Sequence, residues 1–260
     1  MVTGGAGGLG RAFGACLAER GYEVVPVDRV GTERLLDVTD AAACRALADD
    51  VRPDVWVNNA GLSGRGGLLD GDDADVDRMV TVNLIGVIHG TRAAATAMLA
   101  GRGGRILNVA SLAGWAPVPH IAAYSAAKHG VRAFSVAAAA ELRDTNVSVA
   151  CLLPDGIRTP MVDVNDPRHL MSFTGPRLLE PGEVARAGLA LLDSGRLLAS
   201  VPPRRGATVR LLGTFPTLAL RFQGVVERRA RRNQARAAAA LTGPAAVDPA
   251  VSNGPATVDR

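Results

Sequence analysis

Thr3-Gly4-Gly5-Ala6-Gly7-Gly8-Leu9-Gly10 is preceded by two residues only and followed by an Ala- and Leu-rich stretch of helical length, residues 9–20. It reads both as Gly5-x-Gly7-x-x-Gly10 and as Thr3-Gly4-x-x-x-Gly8-x-Gly10. Glycine permits positive φ and lets a phosphate approach the main chain. A helix starting there offers unpaired N–H groups and a positive dipole end to an anion. Taken alone, the stretch favours a phosphate-binding turn over a Gly-rich tail with no ligand, but such motifs have many false matches. Its setting decides. Short, continuously apolar runs follow at 22–27, 54–57, 105–109 and 147–153, and they end at Asp28, Asn58-Asn59, Ala110-Ser111 and Pro154. Between them lie helix-like segments at 40–50, 75–100, 124–143 and 182–194. Continuous apolar runs suit strands buried on both faces, and strand–helix alternation predicts an α/β fold, a doubly wound parallel sheet with helices on both faces. Polar and Gly-rich residues fall at the C-terminal ends of the strands, where such sheets place ligands. Only Met1 and Val2 stand where the first strand belongs, so that strand is expected to be nearly absent, unless the native start lies upstream.

Composition narrows the class. With 260 residues, 48% apolar and 21% charged, the chain is not disordered, collagen-like or a disulfide miniprotein. Cys16, Cys44 and Cys151 stand far apart with no CxxC pair, so neither a disulfide framework nor a zinc site is expected. There is no signal-peptide pattern at the start and no run of 18 apolar residues, which points to a cytoplasmic protein. The net positive charge is confined to one end. Residues 201–260 hold ten Arg against three acids, a surplus of +7, while residues 1–200 carry −3. The high pI is therefore a property of the tail and not the mark of a nucleic-acid-binding fold.

Two positions carry the chemistry. Tyr124 and Lys128, the only lysine of the chain, are spaced i, i+4 and share a helix face. An ammonium beside a phenol favours the phenolate, which suits Tyr124 for proton transfer near neutral pH. Ser111, at a strand end, can hold a carbonyl or alcohol oxygen. Asp28 ends the strand after the glycine turn, where a carboxylate can accept from a ribose 2′-OH. It would repel a 2′-phosphate, which favours NAD, but Arg29 beside it could bind that phosphate, so NADP stays open. His89, His120, His129 and His169 lack metal-ligand spacing and are read as structural; no metal is expected.

Together, Thr3-Gly4-x-x-x-Gly8-x-Gly10, Asp37-Val38, Asn58-Asn59-Ala60-Gly61, Asn83, Ser111 and Tyr124-x-x-x-Lys128 resemble, in order and spacing, the short-chain dehydrogenase/reductase family over about residues 2–200. The resemblance implies a single Rossmann-type domain and an NAD(P)-dependent oxidoreductase acting on CH–OH groups. By that resemblance Tyr124 is the acid/base, and Lys128 lowers its pKa and bonds the nicotinamide ribose. Ser111 polarises the substrate oxygen, and Asn83 supports a relay water. Cofactor contacts are implied for Thr3, Gly4, Gly8, Leu9 and Gly10, for Asp28, for Asp37 and Val38 around the adenine, and for Asn59, Ala60 and Gly61. Tyr124, Lys128, Pro154, Ile157 and Thr159 complete the set. The family's Pro-Gly after the fourth long strand is Pro154-Asp155-Gly156 here, which puts the local turn in doubt.

The substrate expected is a secondary alcohol or ketone. Trp115, Pro117–His120, Met161 and a lid at 162–178 are expected to wall its site; their apolar character suggests a lipophilic molecule. The alternative is a non-catalytic dinucleotide-binding sensor or scaffold on the same fold, for which the full Tyr124, Lys128, Ser111 and Asn83 set would be superfluous. The resemblance also implies a homodimer or homotetramer. Residues 1–202 are read as the catalytic domain. Residues 203–241 are read as one or two basic amphipathic helices broken at Pro216, and 242–260 as a disordered tail. The basic helices can either contact a membrane peripherally or pack on the body or a partner subunit.

Overall fold

A computed structural model describes residues 1–63, 68–69 and 72–242. The expectation for 243–260 lies outside the described residues. Among the described residues seven parallel strands form one sheet in the order β3-β2-β1-β4-β5-β6-β7. They are β1 (Val2–Thr3), β2 (Pro26–Asp28), β3 (Arg34–Leu35), β4 (Val55–Asn58), β5 (Gly104–Val109), β6 (Val147–Pro154) and β7 (Leu198–Val201). The body helices are α1 (Gly8–Ala18), α2 (Ala41–Val51), α3 (Asp73–Val80), α4 (Gly86–Leu99), α5 (Ala122–Glu141) and α6 (Pro181–Asp193). The extension adds α7 (Pro203–Thr214), α8 (Pro216–Arg221) and α9 (Gln223–Thr242). Strand order reverses between β1 and β4, and this switch opens a crevice at the carboxyl ends of the strands.

Alternate residues of each strand feed opposite cores. Val55 and Val57 join Phe13, Leu17 and Leu189 under α1 and α6. Trp56, between them, joins Ala94 and Met98 under α4. Leu107 and Ile106 divide in the same way on β5. Each such fully buried side chain stabilises the fold by about 1.5–3 kcal/mol, which is why the runs are apolar throughout and not alternating. Helix starts are fixed by local chemistry. The Asp40 carboxylate accepts from the Ala42 and Ala43 amides at the head of α2, and Glu180 with Glu183 forms a capping box around Pro181 at α6.

Three sequence expectations change. The run 22–27 contributes a strand only from Pro26. Pairing with β1 starts at Val2↔Pro26, with the Val2 amide bonded to the Val25 carbonyl, so the short β1 does not reach Tyr22–Val24. The helix expected at 75–100 is interrupted by a π-helical turn, Thr81–Ile85, around Asn83. The extension is three helices, because Phe222 ends α8 as Phe215 ends α7.

Candidate active site

The glycine turn lies at the head of α1. Gly4 has φ +66, and a Cβ on Gly10 would run into the Gly4 carbonyl oxygen. Gly7 begins the helix with no side-chain cap, and the first turn holds no acid. A helix start with no side-chain cap, on a backbone that a Cβ would obstruct, is suited to a diphosphate. Asp28 lines the same cavity at the end of β2. Its carboxylate accepts from the Ala6 amide (3.1 Å) and the Arg29 amide (2.8 Å), which fixes it beside the glycine turn. The Arg29 side chain pairs with Asp37 across 3.5 Å. The Thr39 amide and hydroxyl both bond Asp37 and hold its carboxyl below the usual range. The residues present fit a nicotinamide dinucleotide.

Thr3 departs from the expectation. It is buried and does not line the cavity. Its hydroxyl accepts from the Asn59 and Ala60 amides, both at 3.0 Å, and so shapes the loop after β4. The other expected cofactor positions, Gly4, Gly8, Leu9, Gly10, Asp28, Asp37, Val38, Asn59, Ala60, Gly61, Tyr124, Lys128, Pro154, Ile157 and Thr159, all border one cavity of about 720 Å³, as do Asn83 and Ser111.

Ser111 and Tyr124 both border that cavity, and the Ser111 hydroxyl is near enough to act on the phenol. Tyr124 keeps some exposure as a residue, but its phenol is enclosed. Desolvation pushes its pKa above the ordinary value, and the Ser111 hydroxyl opposes the shift. Lys128 lies 5.6 Å from the Tyr124 ring centre and donates to the Val109 carbonyl at 3.1 Å. Burial lowers its pKa to about 8. The expectation that Lys128 lowers the Tyr124 pKa is therefore not met in this structure. The ammonium is directed at a carbonyl of β5, and the groups acting on the phenol are its own burial and Ser111. Asn83 is fully buried, its amide clasping the Leu62 main chain through both ends (3.0 and 3.2 Å).

Behind these groups runs a buried polar chain. Asn58 joins Trp56, Thr91 and Asn108 at 2.7–3.0 Å, and Asn108 donates to Ser135 at 2.9 Å. It ties β4 and β5 to α4 and α5, and buried networks that are fully satisfied rigidify their surroundings. Lys128 and its acceptor Val109 sit on two of the elements it joins.

The substrate side differs from expectation in detail. Pro117, Val118, Pro119, Met161, Val162 and Met171 border the cavity, but Trp115, His120, Leu170 and Phe173 do not. The Trp115 ring lies between the guanidinium groups of Arg132 and Arg210, 4.4 and 5.0 Å away, and its N–H donates to Ser200. His120 faces Glu227 of α9 at 3.5 Å. Leu170 and Phe173 are core residues. His169 borders the cavity; its Nδ1 accepts from the Asp163 amide, and its Nε2 is buried with no hydrogen-bond partner among the described residues.

The extension forms the roof, as packing of the basic helices on the body allows. Val209, Leu212, Pro216, Ala219, Leu220, Gln223 and Val226 of α7–α9 also border the cavity. Asp155, the departure from the family turn, is the signal that leads there. Its carboxylate meets Arg205 of α7 at 3.2 Å, and Arg205 also donates to Thr174 at 2.8 Å. Burial raises the Asp155 pKa against the pull of Arg205. Among the described residues no group of three or more His, Cys, Asp or Glu is placed to hold a metal.

A family model described as short chain dehydrogenase matches residues 1–169. A probable oxidoreductase, EphD, of Mycobacterium tuberculosis is 34% identical over 62% of this chain, which spans only 31% of that protein. A cyclopentanol dehydrogenase of a Comamonas species is 33% identical over 74% of this chain and 88% of its own. Two solved structures from Burkholderia, a B. phymatum enzyme with NAD and a B. cenocepacia enzyme with NADP, each superpose with TM-score 0.72 at 26% identity. They cover 84% of this chain and 93% and 94% of theirs.

Proposed function

The chain belongs to the short-chain dehydrogenase/reductase family, and from that premise we propose that it is an NAD(P)-dependent oxidoreductase interconverting a lipophilic ketone and its secondary alcohol. The observation that carries this is the meeting of Ser111, Tyr124 and Lys128 in one cavity with the uncapped, glycine-lined start of α1. A bound nicotinamide dinucleotide would supply or take up the hydride. The protein's part is orientation and the proton. In the reducing direction the Ser111 hydroxyl holds the carbonyl oxygen, and the Tyr124 phenol gives its proton to that oxygen as negative charge develops there. In the oxidising direction the same phenol oxygen receives it. Lys128, with a pKa of about 8, holds positive charge behind the phenol at neutral pH. The Asn83 amide is committed to Leu62, so its role is to hold that loop.

The Asp28 carboxylate beside the glycine turn and the pairing of Arg29 with Asp37 support NAD over NADP. Asp28→Ala should narrow the preference by the worth of a charged hydrogen bond, about 1.5–3 kcal/mol; titration of both reduced cofactors against protein fluorescence measures it. Tighter NADPH binding by the unaltered chain contradicts the assignment. Assembly into a homodimer or homotetramer and a cytoplasmic location belong to the same proposal. Three buried free cysteines suit a reducing compartment, and among the described residues no helix is long and apolar enough to cross a membrane. The activity is tested by following NADH and NADPH absorbance over a panel of ketones graded in chain length. Turnover that rises with apolar length supports the reading; none with any ketone or alcohol overturns it.

A further inference from the structure

The helices that roof the cavity have a second face. Leu220 and Leu211 are 66% and 62% exposed, and Phe215, Leu218, Phe222 and Val225 are about half exposed. That is a large exposed apolar surface for three short helices, and surfaces of this kind mark interaction sites. Its charge is one-sided: residues 203–242 carry nine arginines and a single acid, Glu227. Glu227 is turned toward His120 and Gln223.

The register of α9 sorts these groups. Val226, Ala230, Asn233 and Gln234 share the side that packs on the body, where Asn233 donates to the Phe173 and Gly175 carbonyls and Gln234 to the Asp166 carbonyl. At 3.6 residues per turn Val225, Arg228, Arg232 and Arg236 fall on the opposite side with Arg229 at its flank, and all five are exposed. The apolar residues of α8 thus run directly into an arginine stripe. Leu220 is exposed and also borders the cavity. Leu218 and Phe222 fall on the other side of α8 from it at about 100° per residue, so only the width of α8 separates the outer apolar face from the cavity's edge.

We propose that this outer face of α7–α9 docks on an anionic lipid bilayer, with the apolar side chains in the interface and the arginines at the headgroups. An apolar patch flanked by Arg is complementary to such a surface in both respects. A second copy docked by the same face about a two-fold axis would bring arginine stripe near arginine stripe, which disfavours that occupant. Lipophilic substrate would then pass between bilayer and cavity past Leu220, a consequence that rests on the function proposed above; the docking itself does not.

The test is co-sedimentation of the full chain with vesicles of phosphatidylcholine plus phosphatidylserine, against phosphatidylcholine alone. Binding is expected to the anionic vesicles at low salt and to fall as salt rises. A basic residue near such a surface contributes about fivefold to partitioning, so replacing Arg228, Arg229, Arg232 and Arg236 together by Gln should weaken binding on the order of several hundredfold. Leu218→Ser with Phe222→Ser, which leaves the cavity lining intact, should abolish it. Circular dichroism and NADH titration confirm that both variants stay folded. Vesicle binding is read without turnover, so its outcome is separate from that of the ketone panel. Failure to bind anionic vesicles at low salt overturns the proposal, as does equal binding by both variants. Light scattering that shows the unaltered chain associating through Leu218 and Phe222 without binding vesicles assigns the face to a second copy and overturns it as well.

Discussion

Lys128 is 5% exposed and has one hydrogen-bond acceptor, the Val109 carbonyl, so folding strips most of the water from its ammonium. Its pKa of about 8 lies below the ordinary 10.5 of an unfolded chain. Between those values the unfolded chain binds more protons, so stability rises with pH from about 8, and below 8 the full cost of the buried charge is present. Lys128→Met removes that cost but leaves the Val109 carbonyl without a donor. The net expectation for the cofactor-free protein is a gain of about 1–2 kcal/mol at pH 7, with the rise toward about pH 9.5 gone. Urea unfolding at the two pH values measures both. Turnover should be lost in the same variant, the usual trade between stability and a strained site. Tyr124→Phe should also lose turnover yet bind NADH within a few-fold of the unaltered chain, because the ring stays as a wall and only the transferable proton goes. Normal turnover by that variant contradicts the role given to the phenol. The spacing of Tyr124 and Lys128 was legible because i, i+4 is local geometry. The directions of their pKa shifts were not, since they depend on how much of the surrounding fold closes over each group.

At the scale of elements, the link between the loop after β6 and α7 joins the family domain to the extension. Asp155 has 9% of its side chain exposed, accepts from the Gly156 amide at 3.0 Å and meets Arg205 at 3.2 Å. Removing one member of a buried pair leaves the other uncompensated, so Arg205→Met should destabilise by about 2–4 kcal/mol at pH 7. Asp155 already has a raised pKa in the folded protein. An acid in that state favours folding at low pH and loses that advantage as pH rises through its folded pKa. The Arg205→Met defect should therefore shrink on going from pH 7 to about pH 5, and Asp155→Asn with Arg205→Met should recover much of it. Chemical denaturation at both pH values decides; a defect independent of pH means that the loss is packing. The main strands β4, β5 and β6 were readable from sequence because burial on both faces makes them continuously apolar. β3, with Arg34 and Leu35 both exposed at the sheet edge, gave no such signal. Nor did β7, where only Val201 is buried. Asp155 was legible as a departure but its partner was not, because fifty residues separate it from Arg205.

Over the whole molecule, sequence order sufficed for the parallel sheet and for the side on which its ligand site lies, since motifs at strand ends converge on one edge of such a sheet. It did not suffice for the walls of the substrate side. Trp115 and His120 are near Tyr124 in sequence, yet one is held between two arginines and the other turned to α9. Pro117–Pro119, Met161, Val162 and Met171 give part of the walls, and the rest comes from α7–α9, which hold the lid through the Asn233 and Gln234 side chains bonded to distant main-chain carbonyls. A chain shortened after Thr214 keeps Arg205 and the α7 lining but loses Pro216, Ala219, Leu220, Gln223 and Val226 from the cavity, and with Asn233 and Gln234 the support of the segment around Phe173. The glycine turn, Asp28 and Asp37 stand on the other side of the crevice, so NADH affinity should stay within a few-fold. Small ketones, which need only Ser111 and Tyr124, should keep most of their kcat/KM. Long-chain ketones should lose about fourfold for each methylene that the roof had covered, from about 0.8 kcal/mol per buried CH2. The slope of log kcat/KM against chain length, compared between full and shortened chains, isolates the roof. A parallel fall for every ketone means that α8 and α9 hold the catalytic groups in place and do not select the substrate.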